Sequence, residues 1–303
     1  MLAGVEAQTL TVWKQADKYK IPRIIFLNKM DKLGANFNMC LKSIRDKLNV
    51  IPIPINLPIG KEKTFTGIVD LVSLEQNIWD LSKSCDGREY VCEKIDTSSQ
   101  NSSTKMVLHE RSQLIGSLAE FDEKIEEHVL SDTNIEDIPV TDIHNALRSV
   151  TLSSKAVLVL CGSAKKNIGV QHLLDAVVKY LPCPTDIEHD FLHYYGDQLC
   201  ALTFKIVHDR HKGVLTYVRI YQDWLREGDS IYNMNLRKSE KIGRHSLLQV
   251  NADEYHSISS IGPGHIACIS GLEQVSKKYS FRKCSTISTI FRYYSYFNNK
   301  LLV

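Results

Sequence analysis

The sequence predicts an α/β domain built on parallel strands, interrupted by an α+β insertion and followed by an all-β domain. Three observations carry this. Two short apolar runs, Arg23–Asn28 and Ala156–Cys161, each lead into a polar tetrad and then into a helical pattern. More than a hundred residues with an apolar stripe of their own separate the two runs, too many for a loop. From Gly196 onward the apolar period changes to two.

Taken in order, Ala3–Lys18 reads as a helix because Val5, Leu10, Val12, Trp13 and Ala16 fall near one face. Pro22 leads into the first strand, which ends in Asn28-Lys29-Met30-Asp31. The intervening segment, about residues 40–155, holds a strand at Thr64–Leu71. It also holds a helix with Leu114, Leu118, Phe121, Ile125 and Val129 on one stripe, and a short helix marked by Leu147 and Val150. The second strand ends in Gly162-Ser163-Ala164-Lys165. The helix after it has the clearest amphipathic spacing, with Val170, Leu173, Leu174, Val177, Val178 and Leu181 on one side and Pro182 as its stop. His144 and His172 fall on the polar sides of their helices. The first domain thus runs over 1–185, and Pro182–Asp190 reads as the linker. A barrel over about 196–275 is predicted from Ala201–His208, Val214–Tyr221, Ser230–Met234 and Ile261–Leu272, with turns at Lys212-Gly213 and Glu227-Gly228-Asp229. The segment 276–303 breaks the pattern. It is basic and aromatic, with seven of the 25 aromatic residues and neither helical nor strand phasing.

The chain has 303 residues, 43% of them hydrophobic and 24% charged, the balance of a globular protein. No apolar run is long enough to cross a bilayer, and no secretory or mitochondrial leader is visible. The net charge of +2 conceals an asymmetry: the last 28 residues hold six Lys and Arg and no acid, leaving −4 for the rest. A mildly acidic body gives no case for wholesale nucleic-acid binding. The eight cysteines are scattered without a Cys-x-x-Cys pair, which argues against zinc and for reduced thiols.

In parallel sheets ligands bind beyond the carboxyl ends of the strands, where both polar tetrads sit. An aspartate at such a tip can accept two hydrogen bonds from guanine, one from the ring N–H and one from the 2-amino group. The asparagine can reach the N7/O6 edge, and the lysine stem can lie along the base. Adenine lacks the 2-amino donor, so a site built on this pairing rejects it. Small residues in the Ser163-Ala164-Lys165 loop let backbone N–H groups approach O6. Asn-Lys-x-Asp alone arises by chance in roughly one chain in thirty of this length, and Asp31 could instead cap a helix. The strand before it, and a second loop after a parallel strand, favour guanine recognition.

Gly4-Val5-Glu6-Ala7-Gln8-Thr9, Phe26–Asp31 and Gly162–Gln171 together resemble the translational GTPases of the elongation factor G type. The later Phe204-Lys205, Gly213, Tyr217–Tyr221, Gly228-Asp229 and Gly271-Leu272 are similar to that family's barrel. Ile21–Lys32, and Leu57–Gly60 with Thr64, Phe65 and Gly67, favour its mitochondrial ribosome-recycling branch over the translocating one. The resemblance covers about Ala3–Gln274. It implies a partial P-loop-type GTPase domain followed by a translation-factor barrel, with Asn28, Lys29, Met30, Asp31, Ser163, Ala164 and Lys165 holding the base of GTP or GDP. It further implies a mitochondrial matrix location, monomers, the mitochondrial ribosome and its RNA as partners, and ribosome recycling factor as a co-factor protein in ribosome disassembly. Mg2+ belongs to the family's chemistry, but no ligand for it and no catalytic residue can be named here. The sequence holds no Gly-x-x-x-x-Gly-Lys-[Ser/Thr] loop and no Asp-x-Pro-Gly-His run. The expectation is therefore a piece of a longer GTPase that keeps base recognition and by itself turns over no GTP. The alternatives are a translocating paralogue and a non-catalytic module that binds ribosomal RNA or a partner. The family's Thr-Gly-Asp-Thr run after Leu272 is replaced by Gln274-Val275-Ser276-Lys277, which predicts a barrel that does not close.

Overall fold

In a computed structural model, the structure describes residues 4–80, 86–99, 101–131, 133–233, 238–272 and 280–283. The chain divides into two compact units, residues 1–181 and 182–303.

In the first unit, α1 (Ala7–Lys18), β1 (Ile24–Leu27), α2 (Phe37–Leu48) and β2 (Ile51–Pro54) precede a four-stranded antiparallel sheet. That sheet is β3 (Asn56–Ile59), β4 (Gly67–Asp70), β5 (Glu75–Ile78) and β6 (Val91–Lys94), in sequential order. Three helices follow: α3 (Ser102–Ala119), α4 (Glu123–Leu130) and α5 (Val140–Leu152). The unit ends with β7 (Ala156–Cys161) and α6 (Val170–Tyr180). β7 is the central strand of a parallel sheet ordered β1-β7-β2, with Leu27 opposite Cys161 and Pro54 opposite Val159. Its alternate residues enter two cores. Val157, Val159 and Cys161 join Ile44 and Leu48 of α2 on one face; Ala156, Leu158 and Leu160 join α3, α5 and α6 on the other. An unbroken apolar run is what a strand covered on both faces requires. Among the described residues, β1 and β2 form the sheet's two edges.

Several sequence expectations are corrected here. Most of α2 and all of β2 fall inside the 40–155 range expected of the insertion, yet β2 is the third strand of the parent sheet. Its Pro52 and Pro54 argue against a strand, but proline is tolerated at an edge, where β2 lies. The stripe from Leu114 to Val129 is two helices. Asp122 breaks it by accepting hydrogen bonds from the backbone N–H groups of Lys124 (3.1 Å) and Ile125 (3.2 Å), which starts α4 afresh. Asp122→Ala is expected to cost about 1 kcal/mol in denaturant titrations. α6 does not bury its whole apolar side: Ala176 and Tyr180 are covered, while Leu174 and Val178 are 60% and 80% exposed.

The second unit is an all-β domain. Its strands are β8 (Cys200–Asp209), β9 (Gly213–Gln222), β10 (Leu225–Arg226), β11 (Ser230–Asn233), β12 (Lys238–Lys241), β13 (Leu247–Asn251), β14 (Glu254–Ser257), β15 (Ser260–Ile261), β16 (Ile266–Ser270) and β17 (Ser280–Lys283). Eight form one sheet in the order β12-β11-β17-β8-β9-β16-β13-β14, while β10 and β15 make a separate ribbon. Strands of both share one apolar core, including Val218, Ile220, Leu225, Ile231, Leu247, Ile261 and Ile269. Asp209 shapes the β8–β9 hairpin by accepting from the backbone N–H groups of His211 and Lys212. Asp223 takes a left-handed φ of 56°, a conformation aspartate tolerates. The expectation that 276–303 lacks strand character is corrected over Ser280–Lys283. β17 pairs with β8 and β11 and so joins them in one sheet, while among the described residues β12 and β14 stay the sheet's two unpaired ends. Four residues are too few to show period-two phasing in sequence. The rest of that segment lies outside the described residues. Among the described residues, no helix is long and apolar enough to cross a membrane.

Candidate base-binding site

β1 and β7 run side by side in parallel, so the loops that follow them leave the sheet at the same edge. Backbone hydrogen bonds continue past the strands: the Gly162 N–H donates to the Leu27 carbonyl and the Met30 N–H to the Gly162 carbonyl, both at 3.1 Å. A Cβ on Gly162 would meet the Ile168 carbonyl oxygen at 2.3 Å and the Phe26 ring at 2.7 Å, so only glycine fits there. These bonds bring together two segments that lie 132 residues apart in the chain.

Asn28 Oδ1 accepts the backbone N–H of Lys29 at 2.7 Å and that of Ala164 at 2.9 Å. The Ser163 hydroxyl donates to Asp31 Oδ1 at 2.7 Å, and Lys166 Nζ stands 3.9 Å from Asp31 Oδ2. Lys29 adopts φ 66° and is exposed. This left-handed residue lets Asn28 and Asp31 serve one cluster. Burial pushes the Asp31 carboxyl up, but the Ser163 hydroxyl, its own backbone N–H and the charges of Lys166 and Lys32 together hold it below its ordinary value of 3.8. Asp31 is thus an ionised acceptor at neutral pH, the state that pairing with two N–H donors of a purine demands. The loop from Ser163 closes on itself, with paired backbone bonds between Ser163 and Ile168 and left-handed turns at Asn167 and Gly169.

The structure therefore groups Asn28, Asp31, Ser163 and Ala164. Lys29 and Lys165 are exposed, and Met30 turns its side chain into the core beside Leu27 and Cys40. The Met30 backbone N–H is what links it to the second loop, through the Gly162 carbonyl. The basic residue nearest Asp31 is Lys166, which sequence reading does not single out; Lys165 stays exposed beside it. Asn56, another unforeseen residue, accepts the Cys161 backbone N–H at 2.8 Å through Oδ1. The two histidines expected on helix surfaces are half-buried instead. His144 Nδ1 lies 2.8 Å from the Tyr180 hydroxyl, and the His172 ring packs on Trp79 and Tyr90. Burial pushes both imidazoles below their usual range.

Residues 1–183 match the family model of the elongation factor Tu GTP-binding domain. The chain belongs to that family of elongation-factor GTPases. Residues 198–278 match the family model of elongation factor G domain 2. It is 45% identical to ribosome-releasing factor 2, mitochondrial, of Rattus norvegicus over 276 residues, which is 90% of this chain and 35% of the relative. It is 40% identical over 283 residues to elongation factor G 1 of Bdellovibrio bacteriovorus, covering 89% of this chain and 39% of that one. The chain thus spans just over a third of the length of these relatives. A crystal structure of ttk003000868 from Thermus thermophilus superposes with TM-score 0.73 at 21% identity, over 94% of this chain and 40% of that chain, and so shares its fold.

Proposed function

We propose that this chain supplies the guanine-reading part of a translational GTPase that acts on the mitochondrial ribosome. In this reading Asp31 accepts the ring N–H and 2-amino group of GTP or GDP, Asn28 faces the N7/O6 edge, and the backbone of the Ser163–Lys165 loop approaches O6. The observation that carries it is the Ser163–Asp31 hydrogen bond, which joins the two loops into one cluster around an ionised carboxylate. The residues present fit the base. None of them is assigned to phosphate or Mg2+, and no hydrolytic step is derived from them. Hydrolysis of the bound nucleotide is chemistry of the whole protein, in which this chain's residues bind and orient the base.

The relatives' name, ribosome-releasing factor 2, mitochondrial, supports a ribosome-releasing role in the mitochondrion. The finer reading, disassembly after termination by a monomer in the matrix together with ribosome recycling factor, is what the family resemblance implies. The 40% identity to elongation factor G 1 supports translocation as the second reading. Titration of the labelled chain with guanosine and adenosine, followed by amide chemical shifts, tests base recognition. Guanosine is expected to shift the Ser163, Ala164 and Met30 amides, and adenosine is not. Equal shifts from both nucleosides, or none from guanosine, contradict it.

A further inference from the structure

The inserted subdomain touches the end of β7 and the loop after it from two sides, and the first contact answers a deficit in the parent sheet. β2 accompanies β7 only to the Pro54–Val159 pair, after which the Ile55 N–H donates to the Val159 carbonyl. Past that point no strand among the described residues on this side offers an acceptor to the Cys161 N–H. Asn56, the first residue of β3, supplies one with its side chain, and it is 2% exposed. A backbone donor admits only the oxygen of that amide, so the orientation of Asn56 is fixed. Its Nδ2 is buried without a hydrogen-bond partner among the described residues, at a cavity of about 50 Å³ shared with Asp70, His144 and His172. Leaving a buried amide half-satisfied is costly, and the bond to Cys161 is what the position gains.

The second contact comes from the turn after β5. Trp79, itself buried, donates through Nε1 to the Gly87 carbonyl at 3.0 Å, and Gln171 Nε2 donates to the same oxygen at 3.0 Å. Asn167 Nδ2 donates to the Asp86 carbonyl at 2.5 Å. A Cβ on Gly87 would meet the Lys166 carbonyl oxygen at 2.0 Å, which measures how closely the turn lies on the loop. Asn167 and Gln171 flank the loop's closing residues, and Asn56 holds Cys161, the last strand residue before it.

We infer that Asn56 and Gln171 are positioning residues for the base-reading loop, through which the inserted subdomain sets the placement of Ser163 and Ala164. The inference rests on the reading of that loop as the guanine site, but its first readout does not. Amide hydrogen exchange on the full chain compares wild type, Asn56→Ala and Gln171→Ala. Asn56→Ala is expected to speed exchange at least tenfold at Cys161, Gly162 and Ser163, while Val218 and Ile220 in β9 and Leu114 in α3 are unchanged. Gln171→Ala, a half-buried site that keeps Asn56, is expected to speed Ser163 alone by a smaller factor and to move the Ala164 amide shift. Both variants are expected to weaken guanosine binding at least fivefold. Faster exchange confined to Cys161, or spread evenly over residues 4–181, overturns the inference. If Asn56→Ala does not fold, an unchanged loop in Gln171→Ala overturns it. A wild-type chain that ignores guanosine overturns the functional reading, while the exchange pattern still decides the positioning role.

Discussion

Asp31→Asn is expected to reverse the chain's base preference from guanosine to xanthosine. The carboxylate accepts two N–H groups from guanine, and hydrogen bonds to a charged group contribute about 1.5–3 kcal/mol each. An amide in its place presents an N–H to the guanine 2-amino group, donor against donor. Xanthine carries an oxygen there and accepts that N–H. Guanosine affinity should fall roughly 10–100-fold, at about 1.4 kcal/mol per decade, and saturating amide shifts should now come from xanthosine. The fold is not at stake, because asparagine keeps an oxygen for the Ser163 hydroxyl. Acid gives a parallel check. The Asp31 carboxyl sits below 3.8, so its contribution is complete above that value and is lost only as pH falls through the lowered one. An Asp31→Asn chain that still prefers guanosine contradicts the assigned site.

The second large effect concerns stability. Arg111, in the middle of α3, is 1% exposed, and its guanidinium donates to three backbone carbonyls: Leu71 at 2.5 Å, Val72 at 2.8 Å and Ile135 at 3.0 Å. Burial pushes its pKa down, while Asp70 and Glu136 work to keep the charge. One side chain thus ties the end of β4 to the segment between α4 and α5. Arg111→Met fills much of the volume but leaves the three oxygens without this donor. The expected loss is about 3–5 kcal/mol, read as a fall in the urea midpoint of the first unit's unfolding transition. A loss under about 1 kcal/mol would show that other groups satisfy these carbonyls.

The two loops of the site were legible because their signal is local: a polar tetrad directly after a buried strand, found twice. β7 was legible to the residue for the same reason, since a strand covered on both faces is an uninterrupted apolar run. What escaped depends on distant partners. Asn56 matters only because a strand 105 residues later runs out of neighbours, and nothing around Asn56 in sequence announces that. Arg111 interrupts an apolar stripe and reads as a solvated charge until three carbonyls from other segments surround it. Pro52 and Pro54 hid β2, since proline in a strand is informative only once edge and centre are known. Lys166 has no signal of its own in sequence, because its nearness to Asp31 comes from a contact between two loops, at Ser163 and Asp31, 132 residues apart in the chain.

Among the described residues, β1 hydrogen-bonds to β7 along one side only, and its other side carries the row of amide and carbonyl groups that an outermost strand exposes. Ile24, Ile25 and Phe26 on that strand are only half-covered. Such a rim is a template for any extended peptide, including the same strand of a second molecule. A chain of these 303 residues alone is therefore expected to scatter more light as it is concentrated, and a short peptide complementary to β1 is expected to lower that scattering.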